Sequence, residues 1–229
     1  MNPSCQNKFT KIISPTSRGL IDSMIPENDT KTPRLSQRFV QALTYALHLH
    51  QHQFRKGSSV PYFSHLMSVS ALVLEDGGDE DAAIAALLHD AIEDQGGNEI
   101  RNEIRQTFGY NVLRIVEACT ESDEVPKPSW KQRKLRAIAQ LHHAEPAIQR
   151  VIIADKLHNL RCIWADWQRC GDRVWARFNA SPSDILWFYR ACVEAVGDRF
   201  SSPMLAELRT LLAECLAKLE PSSSPSPPP

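Results

Sequence analysis

The chain has no Cys-x-x-Cys pair, no long apolar run, no excess of charge of either sign and no alternating apolar–polar stretch. Each absence removes a class of protein. The six cysteines, Cys5, Cys119, Cys162, Cys170, Cys192 and Cys215, are scattered along 229 residues. A disulfide framework fits that pattern poorly, and a reduced, cytoplasmic setting is expected, with the thiols acting as small buried hydrophobes. No apolar run approaches the roughly 20 residues of a membrane span. Met1 to Thr10 lacks the apolar core of a signal peptide. Lys plus Arg number 26 against 27 Asp plus Glu, a net charge of -1. That balance argues against nucleic acid or a membrane surface as partner, so an anionic ligand must be met by a local cluster. The oligomeric state is not readable.

What is present is apolar content, 42% of the residues, enough for one domain with a sizeable core. Residues 1–34 are polar and carry Pro3, Pro15, Pro26 and Pro33, which predicts a disordered arm. Residues 220–229 are a Pro/Ser tail of low complexity. The folded unit is expected over 35–219. Its periodicity is helical, beginning with 35–54, where Phe39, Leu43, Ala46, Leu47 and Phe54 recur on one face. Helices are predicted near 64–76, 80–94, 98–107, 110–120, 130–143, 146–168, 183–196 and 203–218. Asp79 is placed to cap the 80–94 helix. The expected fold is all-α, a single helical bundle.

The 80–94 segment is apolar almost all round until it meets His89 and Asp90. A helix of that kind belongs inside a core, where an unpaired charge is very costly. A divalent ion is the natural partner. His65, at the start of a helix, and Asp155, inside the apolar stretch 152–160, complete a set of two imidazoles and two carboxylates. That set suits manganese, iron or magnesium better than structural zinc, which favours thiolates. His48, His50 and His52 read as a solvated face, and His142 with His143 as a helix end.

Glu93 and Asp94 follow the pair by four residues each, which on a continuous helix puts them on the ligand face. They are either the polar end of a buried helix or a base that prepares a water for attack. Arg55 and Lys56, just before His65, are either a solvated pair or a grip on a polyphosphate.

The order His65, His89-Asp90, Asp155 resembles that of the HD phosphohydrolase superfamily. Four elements sharpen the likeness: Arg55-Lys56, Pro61-Tyr62-x-x-His65, Ala86-Leu87-Leu88-His89-Asp90-x-x-Glu93-Asp94, and Ala154-Asp155-Lys156-Leu157-His158-Asn159-Leu160-Arg161. Over about 36–200 the sequence resembles the hydrolase domain of the RelA/SpoT family. It looks like a stand-alone small alarmone hydrolase, similar in extent to the metazoan SpoT homologue. The resemblance implies an HD-domain bundle that removes pyrophosphate from the 3′ position of guanosine tetra- and pentaphosphate, with one Mn2+. It implies His65, His89, Asp90 and Asp155 as metal ligands, Glu93 and Asp94 as the catalytic pair, and Arg55, Lys56, Tyr62 and Asn159 as substrate contacts.

One departure stands out: Cys162 follows Arg161 where the family often carries threonine. The segment around Trp175, Arg177, Asn179, Tyr189 and Arg190 resembles bacterial single-domain HD hydrolases, and either packs the last helices or lines a phosphate pocket. Lys131, Arg133 and Lys134 read as a solvated face. The alternatives are another HD nucleotide phosphohydrolase (a nucleotidase or NADPH 2′-phosphatase) and a non-catalytic alarmone-binding module.

Overall fold

The computed structural model describes residues 34–122, 124, 126–197 and 200–220. Apart from Arg34 and Glu220, the expected arm and tail lie outside these residues, as does Cys5. The helices are α1 Gln37–Leu49, α2 Phe63–Glu75, α3 Glu80–Leu88, α4 Ala91–Gln95, α5 Gly97–Phe108, α6 Tyr110–Cys119, α7 Trp130–His143, α8 Pro146–Cys170, α9 Pro182–Val196 and α10 Pro203–Leu219. A 3₁₀ segment, Gly171–Arg177, links α8 towards α9. Among the described residues there is no strand, only an isolated bridge between Phe54 and Pro61. The fold is all-α.

The centre of the bundle is α3. Every residue from Ala82 to Leu88 is buried, and α1, α2, α6 and α8 pack around it. Its four alanines present little bulk, so neighbouring helices approach closely on several sides. Leu87 and Leu88 then fill the space between them; truncating either to alanine should destabilise by about 2–5 kcal/mol. The entry to α3 is fixed by Asp79, whose carboxylate accepts from the Ala82 N–H at 2.8 Å. Gly78 permits the tight turn from α2, since a Cβ there would meet Val73 Cγ1 at 2.5 Å. Further along, Ser129 and Gln132 form a reciprocal capping box that starts α7.

Two boundaries differ from the sequence expectation, and both shape the site. The first helix stops at Leu49. Beyond it, residues 53–62 double back as a hairpin: Tyr62 N–H donates to Gln53 O and Arg55 N–H to Val60 O, both at 2.8 Å. The tip turns where Ser58 N–H meets Arg55 O at 3.0 Å, with Gly57 supplying the positive φ, 72°, that this turn requires. The predicted 80–94 helix breaks at His89 and Asp90 into α3 and α4. Adjacent residues on an unbroken helix point about 100° apart. Asp90, at φ -100° and ψ -2°, departs from that geometry, and its carboxylate turns back towards His89.

Candidate metal centre and nucleotide cleft

Three elements deliver the donor atoms. His65 comes from the first turn of α2, His89 and Asp90 from the break after α3, and Asp155 from the middle of α8. Donor atoms of His65, His89 and Asp155 all lie within 4.8 Å of one another. Asp155 Oδ1 is 3.2 Å from His65 Nε2 and 3.7 Å from His89 Nε2. Asp90 Oδ2 is 2.9 Å from His89 Nε2 and 4.0 Å from His65 Nε2. The side chains of His65, His89 and Asp155 therefore point at one place, with the Asp90 carboxylate beside the two imidazoles. His65 is 0% exposed and His89 3%, and the Nε2 atom of each is buried without a hydrogen-bond partner. Such an atom is costly to leave unsatisfied. Two orphaned imidazole nitrogens facing two carboxylates fit a divalent cation.

The imidazole tautomers agree with that fit. His89 Nδ1 lies 2.8 Å from Ala86 O. A carbonyl can only accept, so Nδ1 carries a proton, and in the neutral imidazole that metal binding requires Nε2 keeps its lone pair. His65 Nδ1 lies 2.8 Å from His158 Nδ1. Burial, followed by the neighbouring His65, pulls His158 down to about 4. His158 is therefore neutral at pH 7, and in the tautomer with its proton on Nε2 its Nδ1 accepts the His65 proton. The His65 Nε2 lone pair is again left for a ligand role.

The carboxylates are held from outside. Tyr62 donates its hydroxyl to Asp90 Oδ2; burial, then the charge of Asp90, pushes that phenol well above its usual range. Asp155 Oδ1 accepts from Asn159 Nδ2 at 2.5 Å, and its Oδ2 accepts from Lys156 Nζ at 2.6 Å. Burial opposes ionisation of Asp155, but the Lys156 ammonium beside it favours the charged form, and the carboxyl is held well below its ordinary range. Asn159 Oδ1 in turn accepts from Arg55 Nη2 at 2.6 Å. The hairpin is thus wired to the cage through one amide.

Beside the cage opens a cleft of about 610 Å³. Tyr62, Lys156, His158 and Asn159 line it where it meets the ligands. Its walls carry Arg55, Lys56, Lys134 and Arg177 together with Trp130, Phe178, Phe188 and Tyr189. Cations for phosphate and flat rings for a base occupy one concavity, large enough for a nucleotide.

An HD domain model matches residues 42–186 of the chain. The chain belongs to the HD domain family, in its RelA/SpoT branch. The guanosine-3′,5′-bis(diphosphate) 3′-pyrophosphohydrolase of Mus musculus is 34% identical over 142 residues, 61% of this chain and 74% of the mouse protein. A solved metazoan SpoT ortholog, described as hydrolyzing ppGpp, shares the fold at a TM-score of 0.63 and 24% identity, over 81% of this chain and 97% of its own. A crystal structure from Listeria monocytogenes EGD-e aligns at a TM-score of 0.61 and 27% identity, over 67% and 99%.

The acids of this HD domain do not stay together. Glu93 turns to Lys127 Nζ at 3.0 Å and to the Glu121 N–H at 3.2 Å. Asp94 turns to the hairpin and accepts from Gln53 Nε2 at 2.8 Å. Burial, partly offset by Gln53 and reinforced by the Asp90 charge, raises Asp94 above the usual carboxylate range. Lys56 is exposed at the hairpin tip. Arg161 leaves the site for Glu207, at 2.7 and 2.6 Å. Cys162 lines the cleft, with Sγ 3.9 Å from His158 Nε2.

Three residues escaped the sequence reading. His50 is 1% exposed, not solvated; it stacks on Tyr62 at 5.4 Å and holds Gln53 Oε1 at 2.7 Å through Nδ1. His48 and His52 are exposed, as expected. His158 lay inside a quoted motif without a role. Lys134, read as solvated, reaches inward to Glu121 and over the Phe188 ring at 4.3 Å. Of the four residues left open near the C-terminus, Arg177 and Tyr189 line the cleft. Arg190 is exposed, 4.0 Å from Glu194.

Proposed function

We infer that this protein removes pyrophosphate from the 3′ position of guanosine tetra- and pentaphosphate, releasing GDP or GTP, in a reaction that depends on one divalent ion. The observation that carries the reading is the pair of orphaned, buried imidazole nitrogens facing Asp90 and Asp155 at the margin of a cationic cleft. Relatives that share this family are named for the same hydrolysis.

His65, His89, Asp90 and Asp155 would hold the ion; their imidazole and carboxylate donors suit manganese, iron or magnesium, and manganese is the ion that the family resemblance implies. A divalent ion held there would supply Lewis acidity to a phosphoryl oxygen and to water. Asp94 accepts the proton as water attacks: burial raises its proton affinity, while Glu93 is tied to Lys127 and the Glu121 N–H. Gln53 aims Asp94, and His50 aims Gln53. Glu93, paired with Lys127 and the Glu121 N–H, anchors α4 and places Asp94. Lys156 and Arg55 meet the negative charge that spreads over the phosphoryl oxygens. Arg55, Lys56, Tyr62 and Asn159 contact the nucleotide.

The test is a substrate panel read by chromatography with Mn2+ present: guanosine tetraphosphate, dNTPs and NADPH. Release of pyrophosphate and GDP from the first alone is expected. Turnover confined to dNTPs or NADPH would replace the alarmone by another nucleotide, and turnover of none would leave a binding module.

A further inference from the structure

The cleft contains an ion pair that the cage does not use. Asp166 lies eleven residues beyond Asp155 on α8, about 16 Å along the axis. Asn159, Cys162 and Asp166 follow one another at helical spacing along the cleft wall. The 3₁₀ segment Gly171–Arg177 packs back on α8 and brings Arg177 Nη2 to 2.6 Å from Asp166 Oδ2. Arg177 also lines the cleft. Its side chain is 20% exposed, and its Nε is buried with no hydrogen-bond partner. A dehydrated N–H without an acceptor is unfavourable, and a guanidinium offers five N–H groups in a rigid fork.

The surroundings indicate what would use that fork. A Cβ on Gly57 would come within 3.3 Å of Arg177 Cβ and Cδ, so the turn bearing Arg55 and Lys56 sits directly against this arginine. Arg169 holds Asp166 from the other side at 2.6 Å. Among the described residues that line the cleft, Asp166 is the one carboxylate. The run Lys56, Arg177, Arg169 therefore carries surplus positive charge, well along α8 from the cage. A carboxylate could recognise the N–H edge of a base, but this one is already held by two guanidinium groups. The surplus suits phosphate.

We propose that Arg177, drawn from Asp166, is the binding site for the 5′-phosphate chain of the nucleotide whose 3′ end is held at the cage. The proposal rests on the function inferred above and assigns the second phosphate group of that substrate. Arg177 exchanges its contact with Asp166 for charge-assisted hydrogen bonds to phosphate oxygens. Arg169 keeps Asp166 paired during the exchange.

The experiment is calorimetric binding of GDP and of guanosine to the full-length protein, which needs no turnover. Wild type should bind GDP at least about tenfold more tightly than guanosine. Arg177→Ala should remove most of that difference while leaving guanosine affinity in place. Arg177→Lys should keep part of it, and Asp166→Asn, which releases the arginine, should tighten GDP severalfold. Thermal unfolding of each variant separates loss of binding from loss of fold. If Arg177→Ala does not fold, Arg177→Lys and Asp166→Asn decide, and unchanged GDP affinity in both overturns the proposal. A GDP preference that survives in folded Arg177→Ala overturns it. So does equal loss of both ligands, which would move Arg177 to the base, and so does the absence of a GDP preference in wild type. A failed hydrolysis panel with this binding pattern intact would sink the hydrolase reading alone.

Discussion

The cage and the cleft meet at the same residues but are built on opposite principles. In the cage, His65, His89 and Asp155 are at most 8% exposed, and fixed partners hold them: Ala86 O behind His89, His158 behind His65, Asn159 and Lys156 on Asp155. In the cleft the charged groups are partly wet and tied to polar partners, Arg177 to Asp166 and Arg55 to the Asn159 amide. A cation site works when its donors cannot move. A nucleotide site has to give up internal pairs as the ligand arrives. On the function proposed, burial marks the chemistry and exchangeable pairing marks the recognition.

Five substitutions test that contrast, in decreasing order of effect. Asp90→Ala and Asp155→Ala each delete a donor from the cage, so pyrophosphate release should fall to background and metal binding should be lost in calorimetry. Asp90→Ala releasing pyrophosphate at the wild-type rate would break the site assignment. His158→Ala removes the partner that fixes the His65 tautomer, and should lower metal affinity or turnover by about 10–100-fold. Gln53→Ala acts on the base. A base must be unprotonated, and burial already raises Asp94, so the rate should fall on acidification sooner than for an ordinary carboxylate. Gln53 is the hydrogen bond that pulls Asp94 down, so its removal should move the acid limb of the pH–rate profile to higher pH. An unmoved limb would take Asp94 out of the role. Lys56→Ala, at the exposed hairpin tip, should raise KM severalfold with kcat intact. Its effect on the melting temperature should be slight, since exposed charges contribute about 0–1 kcal/mol.

The same contrast explains what could be read from the sequence. The helices of the core follow from apolar spacing, and Asp79 and the glycine turns mark where they begin and end. His89, Asp90 and Asp155 were visible because charge interrupted segments that otherwise belong in a core, and such an interruption has few physical explanations. The break at His89 and Asp90 was not visible, because nothing in the apolar pattern 82–92 signals it. His50 was hidden among three histidines spaced by two, of which tertiary packing buries one. Lys134 sat in a run of cations, and only Glu121, on another segment, turns it inward. The pairing of Arg177 with Asp166 was illegible for the same reason as that of Arg55 with Asn159, a hydrogen-bonded pair 104 residues apart. Pairings of that kind are set by how helices stack, and local pattern carries no record of them.

The central claim is that one ion in this cage drives removal of the 3′-pyrophosphate. Titrating metal-free protein with Mn2+, while measuring bound metal and pyrophosphate release from guanosine tetraphosphate, tests it most directly. Activity should rise in step with occupancy and level off at one ion per chain. Full activity in the metal-free protein, or a rate that ignores occupancy of the site, would contradict the account.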